Sequence, residues 1–295
     1  MPLRRLRHPE DVISLKKLFE RCEESTGHTP LSEHKYRSLV GVPVVGGGLL
    51  VEESGIPVGY IHILESKRPG LYELEMAVDP MFAGHIEDKL LDGAISEVSR
   101  MGGDSVCLWV YSPIDEDSLH RFGFVENRSL HQMRVPLPVS APPVHPGIEI
   151  RGFEPGDEEA LLALNNRAFL GHPEAGEWTL DDLRLRQEYE WFEKEGIRMA
   201  WRAERLAAFC WTKEHPDEVG EIYLIATEPD MRGIGLGRVV ALEGLRYLAE
   251  TKGSRTGMLF ADGGNRSALE MYESIGFRIH QTNRAFITSV GPSVA

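Results

Sequence analysis

Cysteine is scarce in this sequence: Cys22, Cys107 and Cys210 are the only three in 295 residues. They are odd in number and far apart, so they make no disulfide framework and no zinc pattern. Cys107 and Cys210 lie inside apolar, strand-like runs, where a thiol packs as a small hydrophobe. Nothing near Cys210 in the sequence activates it, so it is not expected to carry an acyl group. Long apolar runs are missing too. No stretch reaches the roughly 18 residues of a membrane-crossing helix. The basic start, Met1 to Pro9, is followed by no apolar signal segment, which points to the cytoplasm.

Basic charge is in short supply. Lys and Arg number 32 against 46 Asp and Glu, a formal net charge of −14. Such a chain repels a phosphate backbone on average, which argues against a nucleic-acid partner. It does not exclude a local anion site built of backbone amides. Hydrophobic residues make up 42% of the chain. That is ample for packed cores and excludes disorder as the main state.

What is present is one plan, written twice. The segment Pro136–Gly147 holds five prolines in twelve residues and no Asp, Glu, Lys or Arg. It cannot supply a sheet ladder and tends to be extended. It predicts a first domain over 1–135, a linker over 136–147 and a second domain over 148–295. Each side opens with a helix-like segment, Asp11 to Glu23 and Asp157 to Phe169. Strand-like runs follow: Gly48 to Glu52 and Val58 to Leu64, then Arg198 to Trp201 and Ala207 to Thr212. Next comes an apolar strand ending in acid-Pro, at Asp79-Pro80 and Glu228-Pro229. Helices over Ile86 to Arg100 and Leu236 to Thr251 come after it, then strands over Ser105 to Tyr111 and Met258 to Ala261. Each side closes with a short helix ending in Gly-Phe and a last strand. This is an α/β duplication.

The stretch Arg232-Gly233-Ile234-Gly235-Leu236-Gly237-Arg238 follows a buried strand and opens a helix. Glycines let backbone turn sharply and come close to a ligand. Exposed N–H groups and the helix dipole then suit a pyrophosphate. No Gly-Lys-Ser/Thr follows, so this is not a Walker loop. Downstream, Asn265 is placed as the N-cap of a helix on which Ala268, Tyr272 and Ile275 share one face.

These two motifs, in this order and spacing, resemble the acetyl-CoA-dependent N-acetyltransferase (GNAT) superfamily. The resemblance implies an α/β (α+β) fold of two tandem GNAT domains, each a mixed central sheet flanked by helices. It implies that Arg232, Gly235 and Gly237 hold the CoA pyrophosphate. It also implies that the strand at Ile225, Ala226 and Thr227 splays from its neighbour and pairs with the pantetheine arm. Asn265 would lie near that arm and Tyr272 near the CoA sulfur. An amine must lose a proton to attack a thioester, and the departing thiolate gains one. Glu221, at the start of the strand, suits the base, and Tyr272 the acid. A backbone N–H near Ile225 would polarise the acetyl carbonyl. No metal is needed.

A narrower resemblance extends over nearly the whole chain. Leu130 to Leu137, the linker, Asn165 to Phe169, His172-Pro173-Glu174, Trp178-Thr179, Trp211-Thr212-Lys213, Gly220 to Tyr223 and Met258 to Phe277 look like the mycothiol synthases, as does Pro30 to Glu33. That family acetylates the cysteinyl amine of desacetylmycothiol, a small-molecule acceptor. The resemblance implies that Glu33, Glu174, Lys213 and Glu221 face the acceptor. It places Ile225 to Thr227, Arg232 to Arg238 (Gly233, Ile234 and Leu236 included), and Asn265, Ala268, Leu269 and Glu270 around acetyl-CoA. The expected enzyme is a monomer that uses neither nucleic acid nor membrane.

There are two departures. Phe260 stands where the family carries an acceptor-binding tyrosine. In the first half, Ala83, Ile86 and Asp88 stand at the places of Arg232, Gly235 and Gly237. Ser112, Leu119 and Tyr72 stand at those of Asn265, Tyr272 and Glu221. The first domain is therefore expected to be non-catalytic and structural, with Ile86 and Asp88 obstructing a pyrophosphate and Glu33 lending part of the acceptor cleft. A tandem acetyltransferase for another small amine, a peptide N-terminus or an antibiotic stays open. A non-enzymatic acetyl-CoA sensor is disfavoured by the complete second-half motif.

Overall fold

The computed structural model describes residues 1–6, 9–27, 29–32, 35–36, 39, 47–111, 116–142, 146–171 and 176–291. They form two compact units. Unit 1 is Met1–Ser129 completed by the chain from Asn283 onward, and unit 2 is Leu130–Thr282.

In unit 1, β1 (Leu3–Arg5), β2 (Gly48–Glu53), β3 (Ile56–Glu65), β4 (Leu71–Val78) and β5 (Ser105–Val110) form the sheet with α1 (Pro9–Thr26), α2 (Glu87–Arg100) and α3 (Glu116–Arg121). Its sixth strand is β12 (Arg278–Ser289), which runs antiparallel to β5 from Arg284↔Val110 to Ser289↔Ser105. Unit 2 has β7 (Glu149–Gly152), β8 (Ile197–Arg202), β9 (Arg205–His215), β10 (Val219–Thr227) and β11 (Thr256–Asp262). Its helices are α4 (Glu158–Ala168), α5 (Leu180–Gln187), α6 (Leu236–Glu250) and α7 (Arg266–Ile275). Its sixth strand is β6 (Val125–Pro136), antiparallel to β11 from Leu130 to Pro136. Within each unit the pair β4–β5 or β10–β11 is parallel and the other described pairings are antiparallel.

Each half of the sequence thus gives its last strand to the other unit. The expected divisions at 1–135, 136–147 and 148–295 follow the order of the chain, whereas the compact units cross it. The strands exchange because each carries core side chains. Met133 and Val135 of β6 are buried with Leu259, Tyr272 and Phe277 in unit 2. Phe286 of β12 is buried with Leu108, Leu119 and Phe124 in unit 1. Burying one such side chain contributes about 1.5–3 kcal/mol. The proline-rich segment is docked rather than free at its start. The Leu137 N–H donates to the Arg255 carbonyl at 2.9 Å, and Leu137 and Val139 pack on the unit 2 core.

The duplication is also written in ion pairs. Arg4 of β1 holds Asp11 of α1, as Arg151 of β7 holds Asp157 beside α4. Arg21 of α1 reaches Asp79 at the end of β4, as Arg167 of α4 reaches Glu228 at the end of β10. The acid of each acid-Pro pair is therefore answered by an arginine on the unit's first helix. This fixes the strand end from which the next loop leaves.

Candidate active site

The candidate site begins in β10. Its antiparallel register with β9 shifts between Ile222 and Leu224, leaving Tyr223 as a bulge. Its parallel pairing with β11 ends at Ile222↔Leu259. Among the described residues no strand pairs with Leu224, Ile225, Ala226 and Thr227 on the β11 side. A bulge bends a strand and ends its pairing. The free edge presents backbone donors and acceptors that an extended ligand can join as another strand. In unit 1, β4 runs against β3 with no register shift.

Beyond β10 a 3-10 turn, Pro229–Met231, leads into the glycine loop. Gly233 and Gly235 adopt the left-handed conformation, at φ +82° and +89°, and Gly235 is the N-cap of the 15-residue α6. Arg232, Gly233, Ile234 and Gly235 are exposed, and Leu236 is buried under them. A Cβ on Gly237 would stand 3.2 Å from the Thr227 hydroxyl. The Arg232 guanidinium donates to the Ala168 carbonyl at 3.1 Å, and Arg238 donates to the Ser274 hydroxyl at 2.6 Å. An exposed helix N-terminus behind a glycine turn suits a phosphate group.

The matching loop of unit 1 is built otherwise. Ile86, expected to obstruct it, turns its side chain into the core, where a Cβ on Gly59 would meet it at 2.5 Å. Asp88, also expected to obstruct, is taken up by the Ser118 hydroxyl and Arg121. These partners hold its carboxyl below the usual carboxylate range. The loop is instead occupied by Glu87. Its carboxylate accepts from the N–H of Gly84 at 2.7 Å and of Ile86 at 3.1 Å. Leu236 stands at the corresponding place in unit 2 and has no acceptor to offer.

One sheet face of unit 2 gathers the described residues that were expected on the acceptor side. Glu221 is opposite Lys213 on β9 and Met258 on β11. Directly paired residues share a face, and residues two apart along a strand do too. Lys213, His215, Glu221, Met258 and Phe260 therefore lie on one side. The Glu221 side chain is only 10% exposed, and the His215 Nε2 lies 2.5 Å from its Oε2. The Lys213 ammonium sits 4.9 Å from the centre of the Trp191 ring, which packs 4.9 Å from Tyr223. Burial pushes the Tyr223 phenol up. Phe260 is 39% exposed and presents a bare ring to this face. Glu33 and Glu174 lie outside the described residues, as do His172, Pro173 and Ser112.

Tyr272 is buried on the other side, in a core with Ile222, Cys210 and Ala261, its ring edge-on to Phe277. Burial, with the Cys210 sulfur nearby, pushes its phenol up, so it holds its proton at neutral pH. Asn265 caps α7, accepting from the Ala268 N–H at 3.2 Å. Ala268 and Leu269 pack on the core, while Glu270 is exposed. The Cys210 thiol is fully buried and pushed up by that burial, which makes it a poor nucleophile.

Sequence reasoning missed His215, Glu87 and the two strand-end arginines. A parity count across the Lys213–Glu221 hairpin would have put His215 on the face of Glu221. Glu87 gives no such sign, because an acidic residue in a helix's first turn is ordinary. Among the described residues no group of three or more His, Cys, Asp or Glu is arranged to hold a metal ion, and no helix is long and apolar enough to cross a membrane.

A family model of FR47-like proteins matches residues 196–286. The chain is 38% identical to the mycothiol acetyltransferase of Thermobispora bispora, covering 91% of this chain and 93% of that one. It is also 38% identical to the mycothiol acetyltransferase of Thermomonospora curvata, over 88% of each. With the Rhodococcus jostii protein of the same name it shares 34% over 94% of each. Among solved structures, a GCN5-related N-acetyltransferase from Sphaerobacter thermophilus superimposes with a TM-score of 0.77 at 21% identity, over 99% of this chain and 96% of that one. A tandem GNAT protein from the clavulanic acid biosynthesis pathway gives 0.75 at 17%, over 99% of each. These two likenesses show the fold, which is the tandem GNAT arrangement that the motifs implied.

Proposed function

The chain belongs to the mycothiol acetyltransferase family and is an N-acetyltransferase, and we propose that unit 2 alone carries the chemistry, moving acetyl from acetyl-CoA to the cysteinyl amine of desacetylmycothiol. One observation supports this most. The open edge of β10, the glycine loop that follows it and the buried Glu221 at its start lie on one continuous segment. A thioester laid along that edge would have its pyrophosphate at the loop amides and its acyl group near the bulge.

In this reading Glu221 takes a proton from the acceptor ammonium. The freed amine attacks the thioester carbonyl, while a backbone N–H near Ile225 faces the oxygen on which charge develops. The C–S bond then breaks, Tyr272 gives its proton to the departing thiolate, and the adduct nitrogen loses its second proton to solvent to leave the amide. Arg232 to Arg238 and Asn265 to Glu270 would surround the CoA, and Lys213, Glu221 and Phe260 the acceptor. An acidic chain can hold a polyanion in this way because the loop offers amides rather than side-chain charge. Unit 1 would be structural. The enzyme would act as a cytoplasmic monomer, without metal, nucleic acid or membrane.

A second reading is favoured by Phe260. A ring without a hydroxyl at that place removes one polar contact to a sugar-like acceptor, which suits another small amine. The test is incubation with acetyl-CoA and desacetylmycothiol beside a panel of amines, following free CoA thiol. A clear preference for the cysteinyl conjugate supports the first reading. Equal or better turnover of a simple amine overturns it.

A further inference from the structure

Glu221 is fixed at its backbone by strands on both sides, but its side chain has three torsions that the sheet does not set. The contact that sets them is His215. It is the last residue of β9, two beyond the register partner Lys213 and on the same face. Its Nε2 lies 2.5 Å from Glu221 Oε2, a short hydrogen-bond contact to a carboxylate acceptor. A base ready to act is a carboxylate, which only accepts, so the hydrogen of this contact belongs on Nε2.

We propose that His215 is a positioning residue for the acetyl transfer: its Nε2–H ties down Oε2 of Glu221 and leaves Oε1 to receive the acceptor's proton. This rests on the reading of Glu221 as the base. The imidazole suits the task by shape. It is rigid, it reaches across the hairpin, and 29% of its side chain remains in solvent, so it does not seal the site. Lys213, directly opposite Glu221, has its ammonium over the Trp191 ring. Freed from His215, the Glu221 carboxylate would sample several rotamers. A misplacement of about 1 Å at a reacting group costs on the order of 100-fold in rate.

The experiment measures kcat and both KM values, with acetyl-CoA and desacetylmycothiol, for His215→Ala, His215→Gln, Glu221→Gln and the double variant His215→Ala/Glu221→Gln. Should the panel show a better amine, that amine is the acceptor used. The expected result is a fall of about 10- to 100-fold in kcat for His215→Ala with the acetyl-CoA KM unchanged. His215→Gln, which keeps an N–H donor, recovers most of it. The double variant is no slower than Glu221→Gln, because the two residues act as one unit. Long-range nitrogen NMR adds a readout free of substrate. The His215 ring should be the Nε2–H tautomer in the wild type and lose that preference in Glu221→Gln. Wild-type kcat in His215→Ala beside a collapsed Glu221→Gln overturns this inference alone. Unimpaired Glu221→Gln overturns the base assignment and the inference with it.

Discussion

The Glu87 carboxylate accepts the N–H of Gly84 at 2.7 Å, bending back over the loop that precedes its own helix. The Ile86 N–H closes the same carboxylate at 3.1 Å. Unit 1 thus carries a built-in anion where unit 2 leaves its glycine loop open. Equilibrium dialysis with CoA should give one molecule bound per chain, and two per chain would contradict this. Glu87→Leu strips the two amides of their acceptor. It should lower stability by about 1 kcal/mol, read by urea unfolding.

Tyr272→Phe keeps the buried ring and removes the proton. Turnover should fall by about 100-fold or more while the KM for acetyl-CoA stays level, measured by free-thiol release. The sign with pH follows from the raised phenol. A phenol that ionises above its ordinary value of about 10 is protonated throughout the working range, so Tyr272 contributes no alkaline loss of activity below that value.

Gly235→Ala puts a Cβ at φ +89°. The left-handed conformation costs a non-glycine residue about 1–2 kcal/mol. A displaced loop should also raise the KM for acetyl-CoA more than it lowers kcat. Calorimetry and saturation curves separate the two effects, and an unchanged KM would remove the loop from the CoA site.

Arg167→Ala leaves Glu228, whose side chain is 3% exposed, with Arg205 as its remaining ion-pair partner. The loss of charge-assisted hydrogen bonds should lower stability by about 1.5–3 kcal/mol. Arg167 is the main cause of the lowered Glu228 carboxyl. A carboxyl lowered by folding adds stability above its unfolded value, near 4.5, and that stability is lost as pH falls through the folded value. Acid unfolding of Arg167→Ala should therefore begin at a higher pH than in the wild type, followed by circular dichroism.

The glycine loop, the Asn265 cap and the acid-Pro strand ends were legible in the sequence because each depends on local chemistry that a few adjacent residues carry. The duplication was legible for the same reason. The strand exchange was not. The strand character of residues 125–136 and 278–289 does not say which unit they join, and it is the core packing of Met133, Val135 and Phe286 that distinguishes the two. His215 was hidden because its role depends on the parity of the hairpin that sets Lys213 opposite Glu221. The failure of Ile86 to obstruct the unit 1 loop has a similar origin. Sequence position places a side chain at a site, but packing against Gly59 turned this one inward.

The exchanged strands also set an order in time. Unit 2 occupies an unbroken stretch, Leu130–Thr282, and all of it has left the ribosome before the tail emerges. Unit 1 is begun first, yet its β5 has no outer partner until Arg284–Ser289 has been made. In this chain the half translated first is the last to close, and its core waits for Phe286, which is made only after the whole of unit 2.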